Sequence, residues 1–298
     1  MSTETVDPRF IDIDSWPTRV AVGAMLEGQI AAVAALACQE AALAAAADAA
    51  ADRLKRGGRL VYAGAGTSGR IAVQDGVELA PTYDWPQDRL VFLMAGGPSA
   101  LTESAEGAED DGDAGRAAID HARVGAIDVV IGVAASGRTP YTLAVIRAAR
   151  RAGALTIAIA NNAGTPLLDA AEHAILADTG SELVAGSTRM KAGTAQKAAL
   201  NVLSTATMLR SGLVYRGRMV NMRVSNDKLL DRGRRMVAEI ADVAPDVAAR
   251  ALDDAGHDIK KAVLIARGTP VHEVEARLEA AYQDLRVALA QVGDAGAR

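Results

Sequence analysis

The stretch Arg59-Leu60-Val61-Tyr62-Ala63-Gly64-Ala65-Gly66-Thr67-Ser68-Gly69-Arg70 decides how this 298-residue chain is read. An apolar run that reads as a buried strand (Arg59–Ala63) passes into a loop of glycines and hydroxyls, and then into a helical pattern. The theme returns where the strand-like Asp128–Val133 leads into Ala134-Ala135-Ser136-Gly137-Arg138-Thr139-Pro140. Backbone N–H groups at a helix start, beside Ser and Thr side chains, form an anion site. Two such loops in one parallel sheet predict a pocket for a phosphorylated small molecule.

Working outward, strand-like and helical segments alternate. Arg89–Met94, Leu155–Ala160 and His173–Leu176 read as further strands. Ile71–Leu79, Ala114–Arg123, Tyr141–Arg151 and Pro166–Ala171 read as helices between them. This pattern predicts an α/β fold, a doubly wound parallel five-stranded sheet with helices on both faces and ligands at the carboxyl ends of its strands. Residues 1–17 look irregular, and Thr18 to about Arg56 form an alanine-rich helical arm closed by Gly57-Gly58. Met190–Arg210 reads as a long helix, and a polar, arginine-rich connection follows over Tyr215–Lys228. The expected organisation is a helical arm (1–56), a phosphosugar-binding domain (57–230) and a small helical module of three short helices (231–298).

Bulk properties narrow the class. A net charge of −5 and 3% aromatic residues exclude a general pull toward nucleic acid or anionic membranes. Cys38 is the only cysteine, so no internal disulfide or thiolate metal cluster can form, and its alanine-rich setting predicts a small core residue. The N-terminus lacks a basic start and apolar stretch, and the run Ile30–Ala37 is too short to span a bilayer. A cytoplasmic location is expected.

Gly64-x-Gly66-x-x-Gly69 formally matches a dinucleotide fingerprint, but the next strand ends in Leu93-Met94-Ala95-Gly96-Gly97, without the acid that would hold a ribose. Thr67 and Ser68 fit direct phosphate binding better. Two carboxylates stand out. Glu78 ends the helix that the first loop opens, and Glu109 lies in the acidic Glu106-Gly107-Ala108-Glu109-Asp110-Asp111. A carboxyl in apolar company can serve as a proton donor beside a second, ionised one. For each, a plain surface residue is the competing reading. Ser187, Thr188 and Lys191 crowd the start of the long helix, where they suit a polyhydroxylated anion as well as simple capping. His121, His173, His257 and His272 show no metal or triad spacing, and no Gly-x-Ser-x-Gly elbow occurs.

Together the motifs Gly64-Ala-Gly-Thr-Ser-Gly-Arg70, Glu78 before Pro81-Thr82, Glu106-Gly-Ala-Glu-Asp110, Ala134-Ala-Ser-Gly-Arg-Thr-Pro-Tyr141 and Gly186-Ser-Thr-Arg-Met-Lys-Ala-Gly-Thr-Ala-Gln-Lys197 resemble the N-acetylmuramic acid 6-phosphate etherase family, part of the sugar isomerase (SIS) domain superfamily. The likeness runs from about residue 59 to 230. It implies an SIS-type sheet and a lyase that opens a lactyl ether without metal or redox cofactor. It also implies a homodimer with sites completed near the subunit interface. Carried over by motif, Glu78 is the acid for the departing oxygen and Glu109 the base at C2. By analogy with SIS proteins, Ser68, Ser136 and Thr139 contact the phosphate, with the backbone N–H groups of Gly137 and Arg138; Gly66 and Thr67 of the first loop are expected at the same site. Glu182 falls where related isomerases carry an acid, and is taken here as a sugar contact or a supporting group. One departure is that the family often has Cys-Pro-Pro after the acid, where this chain has Leu79-Ala80-Pro81.

Three other readings stay open at this point. A phosphosugar isomerase would use Glu182 to shuttle a proton and release no lactate. A sensor akin to the glucokinase regulatory protein needs the loops but not the acid–base pair. A dehydrogenase is the most distant.

Overall fold

The apolar runs form five strands: β1 (Leu60–Gly64), β2 (Leu90–Met94), β3 (Val129–Ala134), β4 (Leu155–Ala160) and β5 (His173–Leu176). All pair in parallel in the order β2-β1-β3-β4-β5, with Leu60 in register with Leu90 on one side and Val129 on the other. Every residue of β1, β3 and β4 is buried. That is why these strands read as unbroken apolar runs rather than alternating ones: both sheet faces are covered. The expected five-stranded, doubly wound sheet is present, each strand within one residue of its expected start.

The computed structural model describes residues 3–295. In chain order the helices are α1 (Thr18–Ala34), α2 (Glu40–Lys55), α3 (Gly66–Val77), α4 (Leu79–Tyr83), α5 (Gly112–His121), α6 (Pro140–Arg151), α7 (Pro166–Ala170) and α8 (Lys191–Arg210). Five more follow: α9 (Asp227–Ala241), α10 (Pro245–Asp254), α11 (Ile259–Ala266), α12 (Val274–Ala280) and α13 (Leu285–Ala295). The chain divides into two compact units. One holds the sheet and comprises the chain up to Val77 together with Gln87–Thr207. The other comprises Glu78–Pro86 and the chain from Met208 onward.

In the sheet unit, successive residues of a strand face opposite layers. Val61, Ala63 and Val130 pack with Ile119 of α5, Tyr141, Val145 and Ile146 of α6, and Leu167 of α7. Tyr62 points to the other face, where its hydroxyl donates to Asp75 of α3 at 3.1 Å. Asp75 also accepts from Asn201 (2.6 Å) and Ser204 (3.2 Å) of α8. Burial holds the Asp75 carboxyl above its usual range, and these three hydrogen bonds offset only part of that effect. At the amino ends of β1 and β3, Arg59 clamps buried Asp128 through Nη2–Oδ2 at 2.7 Å. Burial alone would raise the Asp128 carboxyl, but hydrogen bonds from Arg59 and the Gly125 N–H outweigh it and lower it.

The N-terminal helices differ in their surroundings. Leu43, Ala46, Ala47, Ala50, Ala51 and Leu54 bury one side of α2. α1 buries only Ala32 and leaves Val20, Val22, Leu26, Ile30 and Val33 exposed. By length and apolar content Thr18–Lys55 passes for a membrane span, yet α2 is packed against the protein. Cys38 corrects an expectation. It is a free, exposed thiol in the 3-10 turn Ala37–Gln39, and the neighbouring α1, which buries only Ala32, gives this part of the arm little to pack against.

In the second unit a small hairpin, β6 (Val214–Tyr215) with β7 (Arg218–Met219), precedes the helices. Their core includes Met236, Val237, Ile240, Leu252, Ile259, Val263, Leu264 and Leu278. Residues 231–298 were expected to give three helices, and among the described residues this tail carries five, α9 to α13. The unforeseen break between α12 and α13 falls at Tyr282 and Gln283, which take φ of 52° and 61° with no glycine or proline to mark the turn.

Candidate active site

Strand order brings the two glycine loops together. β1 connects outward to β2 on one side, while β3 lies on its other side, so the loops after β1 and β3 leave the sheet at the point where the winding reverses. The first loop runs straight into α3, which begins at Gly66 with a φ of 53°. In the second, the Ser136 hydroxyl accepts from the Arg138 N–H at 3.1 Å. Gly137 turns the chain with a φ of 63°, its N–H donates to Ala134 O, and its carbonyl accepts from the Leu167 N–H. Thr139 stands at the N-cap of α6 with no side-chain capping bond, and Pro140 occupies the first helical position.

The loops open onto one cavity of about 380 Å³. Of the residues singled out from sequence, Gly66, Thr67, Ser68, Glu109, Ser136, Arg138, Thr139 and Thr188 line it. Glu109 reaches it on the loop after β2, which Gly96, Gly97 and Gly107 bend with positive φ. Arg70 fastens that loop, donating to the carbonyls of Ala100, Leu101 and Glu103 at 3.0–3.1 Å. The cavity therefore pairs a floor of hydroxyls and helix starts, which favours a dianion, with acidic residues at its edge, Glu109 and Asp110 among them.

The other expected residues lie elsewhere. Gly137 sits between lining residues without facing the cavity. Glu182 is fully buried, with Oε2 accepting from the Lys191 N–H at 3.0 Å and Oε1 from the Ala192 N–H at 2.9 Å. It thereby caps α8, satisfying two donors that the helix start leaves open. Lys191 is also buried, its ammonium donating to Ser181 O at 2.8 Å. Ser187 lies in the turn before α8, with its N–H on Val184 O. Glu78 belongs to the second unit, where it is exposed and its carbonyl accepts from the Thr82 N–H as α4 begins.

Two contributors escaped the sequence reading. Glu4, from the supposedly irregular start, lines the cavity. Asn162, just after β4, donates to Ala135 O at 2.8 Å and to the Thr3 hydroxyl at 3.1 Å. A polar residue at the carboxyl end of a parallel strand was the available signal for Asn162. Nothing local marks Glu4. Among the described residues no group of three or more His, Cys, Asp or Glu is placed to hold a metal.

Comparison with known proteins gives three results. Residues 42–150 match the family model of the glucokinase regulatory protein N-terminal SIS domain, and residues 112–206 match the SIS domain model. The chain is 47% identical over 290 residues to N-acetylmuramic acid 6-phosphate etherase of Deinococcus radiodurans, covering 97% of this chain and 95% of that protein. It is 47% identical over 266 residues to the enzyme of the same name from Streptomyces coelicolor, covering 89% and 85% respectively. Among solved structures, a candidate phosphosugar isomerase involved in capsule formation from Bacteroides fragilis superposes with a TM-score of 0.52 at 19% identity, covering 67% of this chain and 95% of that one. That likeness establishes the fold.

Proposed function

Since this chain belongs to the N-acetylmuramic acid 6-phosphate etherase family, we propose that it cleaves the lactyl ether at C3 of N-acetylmuramic acid 6-phosphate, yielding N-acetylglucosamine 6-phosphate and D-lactate. The observation that carries the mechanism is that Glu109 lines the same cavity as both phosphate-type loops. A sugar anchored there by its phosphate presents its other end to a carboxylate.

In the open-chain sugar, the C1 aldehyde acidifies the proton at C2. Glu109 takes that proton, the C–H electron pair becomes the C2–C3 double bond, and the C3–O bond breaks. The acid, Glu78 by its motif, protonates the departing lactate oxygen. Water then adds, its oxygen to C3 and its proton to Glu78, while Glu109 returns a proton to C2. Opposite protonation states in two carboxyls are what such a sequence needs. The aldehyde already supplies the acidity at C2, so the scheme calls for no metal or redox cofactor. Thr67, Ser68, Ser136, Arg138 and Thr139 hold the phosphate, and Thr188 lies at the sugar. Glu182, Ser187 and Lys191 support the start of α8, which disfavours an isomerase built on Glu182, whose two oxygens already hold backbone N–H groups.

A homodimer fits this reading. The exposed apolar residues of α1 offer a surface for a second subunit. α3 begins in the phosphate loop at Gly66 and ends eleven residues later at Val77, about 17 Å along its axis. Glu78 is the next residue, so the acid serving a given cavity is assigned to Glu78 of the partner subunit. The protein works in the cytoplasm on a small phosphosugar, without nucleic acid or membrane partners. The direct test is to incubate it with N-acetylmuramic acid 6-phosphate and assay D-lactate. Folded protein that releases none would overturn the proposal.

A further inference from the structure

The start of the chain is pinned beside the cavity by contacts distant in sequence. The Thr3 N–H donates to Asn162 Oδ1 at 3.1 Å, the Thr3 hydroxyl accepts from Asn162 Nδ2, and Thr3 O accepts from the Gly186 N–H at 3.1 Å. Thr3 is almost fully buried. Asp7, four residues on, is buried as well and accepts from the Ser181 hydroxyl at 3.3 Å. Its hydrogen bonds with Arg9 keep the Asp7 carboxyl down at about 2, so it stays ionised and able to accept. Between these pins lies Glu4, an exposed residue that lines the cavity and whose side chain, among the described residues, has no hydrogen-bond or ion-pair partner. The same Asn162 side chain that holds Thr3 also holds Ala135, next to Ser136 of the second loop.

A carboxylate held at an anion-binding cavity works against a bare phosphate, because like charges repel. It is suited to a ligand that brings donors of its own. We infer that Glu4 is a ligand-binding residue that accepts hydrogen bonds from hydroxyl or amide N–H groups of the sugar, fixing its polyhydroxyl end while the loops fix the phosphate. The inference rests on the phosphosugar reading above. It assigns to the N-terminal segment the task of telling a sugar phosphate from inorganic phosphate.

The test compares Glu4→Ala and Glu4→Gln with wild type, using N-acetylmuramic acid 6-phosphate for kinetics, and N-acetylglucosamine 6-phosphate and inorganic phosphate for binding. Loss of a charge-assisted acceptor should raise KM and the product Kd by about 10- to 100-fold in Glu4→Ala. The Glu4→Gln variant, keeping one acceptor, should fall between it and wild type. In both, kcat should hold, the sign of an interaction made equally in ground and transition states. Inorganic phosphate should bind Glu4→Ala at least as tightly as it binds wild type, which general damage to the cavity would not produce. Unchanged KM and product Kd, a fall in kcat alone, or equal weakening toward inorganic phosphate would each overturn the assignment. Wild type that neither releases lactate nor binds product would instead overturn the phosphosugar reading itself.

Discussion

Gly64 and Gly69 touch backbone to backbone: a Cβ on Gly64 would lie 2.7 Å from the Gly69 Cα, and one on Gly69 would lie 2.8 Å from the Gly64 carbonyl carbon. This contact seats the first turn of α3 on the end of β1, beside the cavity that Gly66, Thr67 and Ser68 line. A glycine motif that looks like a nucleotide fingerprint is used here for close helix–strand packing beside a phosphate-type site.

Gly69→Ala should therefore push α3 off the strand. Overpacking of this kind costs about 1–3 kcal/mol. Denaturant unfolding should show that loss, and calorimetry should show product affinity weakened by roughly tenfold as the loop moves.

Glu182→Gln separates the etherase from the isomerase reading. The amide places an NH2 group against one of the two N–H donors that the carboxylate now satisfies, at a cost of about 2 kcal/mol in unfolding free energy. Lactate release per folded molecule should persist. Loss of all turnover in a stable variant would restore Glu182 to the chemistry.

The two proposed acids should fail differently. Glu109→Gln should lower kcat by about 10²- to 10⁴-fold, the usual contribution of a general base, and abolish deuterium exchange at C2 in heavy water. Glu78→Gln should impair lactate release more than that exchange. Rapid C2 exchange in Glu109→Gln would show that another group is the base.

Mixing these two inactive variants tests whether Glu78 serves the neighbouring subunit. After subunit exchange, mixed dimers contain one site with both native carboxyls, so roughly a quarter of the sites should recover. If each subunit worked alone, no site would be whole and mixing would restore nothing.

The Arg59–Asp128 clamp predicts a pH dependence of stability. Because the Asp128 carboxyl titrates lower in the folded chain, its contribution is complete above the unfolded value of about 3.9 and fades as pH falls through the folded one. Asp128→Asn should lose about 2 kcal/mol at pH 7, modest because Arg59 is partly solvated. Denaturant titrations should show the gap to wild type closing below about pH 4.

Much of this protein is local and therefore legible in the chain. The buried strands announce themselves as apolar runs because both sheet faces are covered, and each loop shows its glycines and hydroxyls within seven residues. The five motifs likewise carried the resemblance to the family. Helix breaks marked by proline or glycine were readable, whereas the one at Tyr282 and Gln283 was not, since ordinary residues adopt the left-handed turn there. Cys38 looked like a core residue because its neighbours are alanines, but that part of the arm packs on little and the thiol is exposed.

What only the tertiary structure decided is which groups meet. Glu109 reaches the cavity of the two glycine–hydroxyl loops because the strand order sets β2 beside β1, and Arg70 ties the intervening loop to α3. Glu182 proved to be a helix cap because the chain before α8 folds back onto the helix start. Thr3 meets Asn162 across 159 residues, which delivers Glu4 to the cavity. Spacing along a chain predicts neighbours within a turn or a strand. Contacts of such separation depend on the packing of every element between them, and no local pattern records that.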